Sequence, residues 1–535
     1  MADRAEALVI GGGAAGAVAT LALARAGVRV VCLEQGDWPD RTLYRGDRPE
    51  WELVAGKQMA FSPAIRQDPS DYPVVDAHSD ATMLMYNAVG GSTVLYNAVF
   101  PRMLPSDFRV RTLDGVGDDW PLTYEDLLPW YQECERQFAV SGLAGDPAYP
   151  DEDADFPLPP LPLRGHGLRM ARAHNDLEWH WWPQANAIPS QPYRGLSACA
   201  QRGTCTAGCP EGAKASVDLS HWPEALRLGA QLRTGARVSR LVTGPGGLVT
   251  GAEYVDRTGA LRFQAADLVI VAGNAVGTPR LLLMSAGPGQ PDGLANSSGL
   301  VGRRLMIHPA ARVLGFFDEP MQSWHGQSGG AITSLQFYET DADRGFVRGA
   351  KWTLTPGGGP LRNALRIMNQ GGWGAGHHEL FGAQFGHGAT WSVFSEDLPE
   401  ETNRVVLADD ATDGDGLPGV RVDYRISENS RRILDFNVTR AAESFTAAGA
   451  THIEPEVTER VPGWHAMGTA RMGTDPATSV VDAFGRSHDV PNLFIADCST
   501  FVTAGAVNPT NTLGALTLRM VDHLLASRRD QRVPA

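Results

Sequence analysis

Near the C-terminus, Gly463-Trp464-His465-Ala466-Met467-Gly468-Thr469 is followed by Asp497 and then by Asn508-Pro509-Thr510-Asn511-Thr512. An imidazole and a carboxamide are thereby placed in two turns rich in small residues. Oxidising an alcohol requires a base for the hydroxyl proton and a hydrogen-bond donor for the developing alkoxide, and His465 and Asn508 supply such groups near neutral pH. Each also has a plainer reading: a histidine in a Gly-rich loop is often structural, and Asn508 is placed to cap the helix that follows it. The chemistry further demands a hydride acceptor.

The N-terminus has the elements to hold one. Residues 7–11 read as a short buried strand, Gly11-x-Gly13-x-x-Gly16 as a turn, residues 14–26 as an Ala/Leu-rich helix, and residues 28–33 as a second strand ending at Glu34. The first two glycines permit a tight turn and close approach of a pyrophosphate to the helix N-terminus. The third permits close helix–strand packing, and Glu34 is placed to accept ribose hydroxyls. Strand, turn, helix, strand and acid fall in the order a dinucleotide unit requires.

A chain of 535 residues exceeds one ordinary core, so two domains are expected, and 43% hydrophobic residues fit a globular protein. Forty-six basic against 61 acidic residues give a formal charge of −15. With no basic cluster interleaved with aromatics, this argues against nucleic acid and anionic membrane surfaces as partners. Apolar runs are broken by Gly, Pro or charge before about 20 residues, so no membrane span is predicted. The opening Met-Ala-Asp-Arg enters the first strand directly, and the expectation is a cytoplasmic protein.

Six cysteines are present, three of them as Cys199-x5-Cys205-x3-Cys209. That spacing could hold an iron–sulfur cluster and imply electron relay to a partner; the alternative is a loop whose thiols pack as small hydrophobes. No two histidines stand at i, i+4, and no metal is expected. Residues 371–391 carry Trp373, His377, His378, Gln384, His387 and Trp391, which offer the aromatic faces and polar tips of a sugar site. Residues 319–330, rich in Gly, Ser and Gln, read as a mobile loop able to gate a site. His308-Pro309 is either packed beneath the cofactor or a turn stabiliser.

Two further segments complete the pattern. Tyr86-Asn-Ala-Val-Gly90-Gly91-Ser92-Thr93-Val-Leu95-Tyr96-Asn97-Ala98 opens an apolar run with a diglycine, and Gly273-Asn-Ala-Val-Gly-Thr278-Pro279 starts an apolar helix with Pro279 expected at or near its first turn. With these, the chain resembles the glucose–methanol–choline oxidoreductase family end to end. Gly90-Gly91-Ser92-Thr93 is similar to the family's first signature, the Thr278-Pro279 helix to its second, and His465 and Asn508 to its catalytic pair. The residues from Gly208 to Ser216 and from Gly293 onward resemble the bacterial branch that includes pyranose oxidases and C-glycoside 3-oxidases. Tyr86, Tyr96 and the length of the second signature depart from the usual pattern.

The resemblance implies an α/β fold: a Rossmann-like FAD-binding domain and a substrate-binding domain built on an antiparallel sheet, as in p-hydroxybenzoate hydroxylase. It implies a discontinuous FAD domain of residues 1–50, 80–110, 205–300 and 455–535, with residues 51–79, 111–204 and 301–454 forming the substrate domain and loops; within the latter, residues 312–317 and 420–424 are expected as strands of the sheet over the flavin. Gly91, Ser92, Asn97, Ala98, Val238, Asp497 and Thr510 would join Gly11, Gly13, Gly16 and Glu34 around FAD. The FAD is expected to be non-covalent, because the stretch from Ser92 to Tyr96 lacks the tethering histidine of fungal relatives. The expected reaction is oxidation of a secondary hydroxyl of a pyranose or glycoside, at C3 or C2, with O2 reduced to hydrogen peroxide. The alternative is a sugar or sugar-acid dehydrogenase passing electrons to a quinone or a protein partner.

Overall fold

The computed structural model describes residues 4–48, 50–150, 155–456 and 460–530. Apart from Glu6, the strand Ala5–Ile10 is apolar and buried on both faces, which is the character of a strand inside a parallel sheet. It lies between Val30–Leu33 and Leu261–Val271, pairing Val9 with Cys32 and with Ile270. Gln231–Arg233 extends the sheet beyond Val30–Leu33, and Leu493–Ile495 joins the far side of Leu261–Val271, all in parallel. The other half of that long strand continues into an antiparallel meander through Val249–Val255 and Arg237–Thr243.

The helix Ala14–Arg25 returns across this sheet from Gly13, with no side chain capping its first turn. Gly16 permits the close packing, since a Cβ there would run into the carbonyl of Gly11. Every expected element of the N-terminal unit is present, with ends displaced by one or two residues.

The second body is a six-stranded, wholly antiparallel sheet in the order His452–Glu456, Ala310–Phe316, Gly388–Ser395, Ala350–Pro356, Ile332–Ser334, Trp182–Pro183. Its two faces follow the two-residue period of a strand. Ala311, Val313, Trp352, Leu354, Trp391 and Val393 face a core closed by the helix Glu428–Ala447 through Ile433, Ala441 and Phe445. Ala310, Arg312, Thr355, Ser392 and Phe394 face the other way, onto a cavity.

Two local expectations need correction. The strand anticipated at 420–424 is Pro418–Asp423, but it pairs with Arg404–Thr412 and Val74–Val75 in a separate three-stranded sheet. Val420, Val422 and Tyr424 pack with Tyr72, Ala81, Met83 and Val405 in their own apolar cluster. Alternation fixes which face of a strand is buried, not the sheet it joins. Pro279, expected at the helix start, lies inside the helix Asn274–Met284. Lacking an N–H, it leaves the Ala275 carbonyl without its intrahelical donor. The Thr469 hydroxyl donates to that carbonyl at 2.8 Å. Replacing Thr469 by Val is therefore expected to leave a buried carbonyl unpaired and to lower unfolding free energy by about 1–3 kcal/mol, read from the urea midpoint.

Candidate active site

Between the two bodies lies a cavity of about 710 Å³. Its wall includes Gly11, Gly13, Glu34, Gly91, Ser92, Asn97, Ala98, Val238, Asp497 and Thr510, together with His465 and Asn508, so every expected site residue except Gly16 borders one space.

The cofactor side is shaped for close approach of a flat, charged ligand. Gly13 and Gly91 meet so tightly that a Cβ on Gly91 would stand 2.9 Å from the Gly13 Cα. The Trp222 indole N–H donates to the Gly12 carbonyl at 2.9 Å and holds the glycine turn. Glu34 is 5% exposed, and its carboxylate accepts the Gly12 and Gly36 amides at 2.6 and 2.8 Å. Burial pushes its carboxyl up, and those amides oppose the rise. Asp497 accepts from the Thr278 hydroxyl at 2.5 Å and from the Ser499 amide at 2.9 Å. Thr510 begins the helix Thr510–Asp530. The uncapped N-terminus of Ala14–Arg25, the glycine cradle and the buried acid fit the pyrophosphate and ribose of a dinucleotide.

The opposite side carries the expected pair, His465 and Asn508. His465 lies in a ribbon held between two segments: Met467 exchanges amide bonds with Met306 at 2.9 and 3.0 Å, and Gly468 and Ala470 donate to the Cys498 and Ser499 carbonyls. The ribbon forces His465 to φ +60°, a conformation rarely adopted by a non-glycine residue. Its Nε2 is 3.2 Å from Asn508 Nδ2, and its Nδ1 is 2.9 Å from His308 Nδ1. His308 Nε2 is 2.7 Å from the Gly505 carbonyl.

These distances assign the protons. A carbonyl only accepts, so His308 Nε2 carries a hydrogen. Burial lowers the His308 pKa to about 4, which leaves its Nδ1 as a lone pair and requires the hydrogen between the rings to sit on His465 Nδ1. His465 is pushed well below the ordinary imidazole range, by burial first and then by His308 and Lys351. Its Nε2 is then a free lone pair facing the cavity, with the Asn508 amide as donor. The Asn508 Oδ1 accepts from Lys351 Nζ at 2.7 Å.

Sequence reading left His308 outside the catalytic set and missed Lys351 entirely. The six residues it singled out in 371–391 as a candidate sugar site do not reach the cavity: Trp373 is 79% exposed and Trp391 is buried in the helix-packed core. The cavity's aromatic lining is instead Trp51, Phe61, Tyr72, Tyr86, Tyr96, Phe394 and Trp464, with Phe61 and Trp464 in an edge contact at 4.2 Å between ring centroids. Arg312 and Glu456, paired at 3.1 Å, add charge to the same wall. In residues 319–330, Ser323 and Gln327 are buried and Gly326 donates to the Gln201 carbonyl; only Ser328 reaches the cavity.

Cys199, Cys205 and Cys209 are free thiols. Cys199 and Cys209 accept amides from Gln201 and Ala213 at 3.3 and 3.2 Å, and burial pushes the Cys199 thiol up to about 12. Among the described residues no group of three or more His, Cys, Asp or Glu is arranged to hold a metal, and no helix is long and apolar enough to cross a membrane.

Comparison with known proteins decides the family. A model of GMC oxidoreductases matches residues 185–310 and a second matches 399–517, while an FAD binding domain model matches 4–49. A 2-methyl-1,2-propanediol dehydrogenase of Mycolicibacterium austroafricanum is 42% identical, the match covering 99% of this chain and 96% of the relative. The chain belongs to the GMC oxidoreductase family. A 6'''-hydroxyparomomycin C oxidase of Streptomyces lividus is 32% identical, covering 98% of this chain and 93% of that one. The crystal structure of a pyridoxine 4-oxidase from Mesorbium loti shares the fold with a TM-score of 0.64 at 18% identity, covering 98% and 99% of the two chains. This GMC oxidoreductase takes FAD as its cofactor and acts on CH–OH groups.

The tautomer chain is open to test. His308→Gln keeps a donor for Gly505 and an acceptor for His465 Nδ1, whereas His308→Leu keeps neither. Anaerobic flavin reduction by an alcohol substrate is expected to stay within about tenfold of wild type in the first and to slow by about 10²–10⁴-fold in the second.

Proposed function

We propose that the protein dehydrogenates a hydroxyl of a small polyol or sugar, and that its electrons leave to a quinone-type acceptor or a protein partner rather than to O2. The observation that carries the alcohol chemistry is the His465 Nε2 lone pair at 3.2 Å from the Asn508 amide, on the wall of the cavity that also holds the dinucleotide cradle. Bound FAD, held without a covalent link, supplies the hydride acceptor.

In this reading the substrate hydroxyl lies between the two side chains. His465 Nε2 takes the hydroxyl proton, and Asn508 Nδ2 donates to the same oxygen as it gains charge. The proton on His465 Nδ1 stays hydrogen-bonded to the His308 Nδ1 lone pair, so the ring accepts at one nitrogen without losing its orientation. Gly11, Gly13, Glu34, Gly91, Ser92, Asn97, Ala98, Val238, Asp497 and Thr510 hold the cofactor, and Gly16 keeps its helix seated. Trp51, Phe61 and Trp464 present aromatic faces to C–H edges, and Arg312, Glu456, Thr355 and Ser392 offer polar partners to further hydroxyls.

The dehydrogenase choice is supported by the 42% identity to a relative named as a diol dehydrogenase. A pyranose or glycoside oxidase producing hydrogen peroxide is the second reading, favoured by the 32% identity to a relative named as an oxidase. One experiment separates them. The purified protein is mixed anaerobically with 1,2-diols, free sugars, gluconate and glycosides while flavin absorbance is followed, and oxygen or a quinone is then admitted. Bleaching by a diol or free sugar with reoxidation by quinone only supports the first reading; bleaching by glycosides with peroxide on reoxidation moves the assignment to the second. No bleaching by any alcohol overturns both.

The electrostatics of the base add a pH signature. A depressed imidazole pKa keeps the base form at lower pH, so the reduction rate is expected to hold level from pH 7 down to about pH 5.5. An ordinary imidazole, half-protonated near about pH 6.5, would by then have lost most of its rate. Stopped-flow reduction across that range reads the difference directly.

A further inference from the structure

Lys351 stands on the strand Ala350–Pro356, on the face turned away from the helix-packed core, and is 1% exposed. Its Nζ donates to Asn508 Oδ1 at 2.7 Å, which is its one side-chain hydrogen bond among the described residues, and lies 5.6 Å from the Phe394 ring centroid. No described carboxylate is within ion-pair distance of it. A buried ammonium without a counter-ion is costly, and burial lowers the Lys351 pKa to about 7. Such a group is not needed to fill space, because methionine would do so without the cost.

Its effect follows from what an ammonium is able to do. Lysine as a cation has three donors and no acceptor, so of the two ends of the Asn508 carboxamide it can only hold the oxygen. With the oxygen held, both hydrogens of Nδ2 are turned toward His465 Nε2 and the cavity. Were the amide turned over, its oxygen would face the lone pair of His465 and the oxygen of any bound alcohol, two repulsive contacts in place of two hydrogen bonds. We propose that Lys351 is a positioning residue of the oxidation site, locking the Asn508 carboxamide in the orientation that donates to His465 and to the substrate oxygen. This rests on the alcohol-oxidising reading of that site.

The test is a double-mutant cycle on the flavin-loaded protein at pH 6, where Lys351 is the cation, with Tm and flavin content checked for each variant. K351M is expected to slow anaerobic flavin reduction by about 10–100-fold while the substrate concentration for half-maximal rate changes by less than about threefold. K351R, which keeps a donor-only cation, is expected to recover to within about tenfold of wild type. In an N508A background K351M should change the rate by less than about threefold, because the lysine acts through the amide it no longer finds. A K351M rate equal to wild type, or losses that multiply in the double variant, overturns the proposal. If K351M fails to bind flavin, K351Q takes its place in the cycle under the same expectations.

A readout independent of turnover separates this proposal from the functional reading. In protein labelled with ¹⁵N-histidine, the His465 Nε2 resonance at pH 6, where Lys351 is the cation and His465 is still neutral, is expected to move in K351M and in N508A alike, as the amide donor is lost. If no alcohol reduces the wild-type flavin, the functional reading fails on its own, and an unmoved resonance in K351M then overturns the lock as well.

Discussion

The carbonyl of Gly505 accepts hydrogen bonds and cannot donate them, and the chemistry of the site descends from that asymmetry. It places a proton on His308 Nε2. Through the contact between the two rings it then places a proton on His465 Nδ1 and leaves His465 Nε2 bare. In the proposed reaction, a base whose tautomer is fixed loses nothing to the wrong form, which would present an N–H where a lone pair is required. Burial completes the arrangement: in water both imidazoles would share in protonation near neutrality, and the logic of donor and acceptor would dissolve. The constraint is only as good as the position of the Gly505 carbonyl, which lies in the loop that also carries Asn508.

That loop is held by buried polar contacts from both bodies. The Ala506 amide donates to the Tyr338 hydroxyl at 2.9 Å, and that hydroxyl donates in turn to Asp107. Thr503 donates to the Asp107 carbonyl and accepts from the Trp120 indole. Asp107 also receives Arg348 at 2.5 Å, and the same guanidinium meets Glu396 at 3.2 Å, all three residues being fully or almost fully buried. Desolvating such a group offsets much of its Coulomb attraction, so the cluster is a weak source of stability. Its geometric content is large. Glu396 follows the strand Gly388–Ser395 directly, Arg348 lies two residues before Ala350–Pro356, and the Arg348 guanidinium joins Glu396 to Asp107, the residue that braces the loop. The substrate sheet and the Asn508 loop are thereby registered to each other.

What was legible in the sequence was whatever is local. The Gly11-x-Gly13-x-x-Gly16 turn and Glu34 are readable because the strand, turn and helix that use them are contiguous, and His465 and Asn508 because each sits in a distinctive turn. His308 and Lys351 escaped because their roles exist only across 157 residues of chain each. A histidine before a proline and a lysine in an apolar strand carry no signal of what they will face. The 371–391 segment misled for the converse reason. Its composition suits a sugar site, but Trp391 points into the face of its strand opposite the cavity, and one position of register decides that. Ser392, its neighbour, is the residue that lines the cavity.

Backbone strain is distributed in keeping with this division. Of the thirteen non-glycine residues at positive φ among the described residues, three border the cavity: His465 at φ +60°, Ala98 at +62° and Asn274 at +66°. Each conformation costs on the order of 1–3 kcal/mol and persists only where the surroundings leave no relaxed alternative. At Ala98 the carbonyl is taken by the Ala187 amide at 2.7 Å, and at His465 the ribbon bonds of Met467 and Gly468 leave no slack. The reacting end of the cavity is thus rigid by construction. The far wall, by contrast, is made of side chains on strand and helix ends, with Arg362 exposed at its lip and Arg312 and Glu456 half-buried. Substitutions there change which hydroxyl-bearing molecule fits without moving the base, the amide or the cradle. On the proposed reading, reaction type and substrate choice are consequently governed by separate sets of residues, and a change in one need not disturb the other.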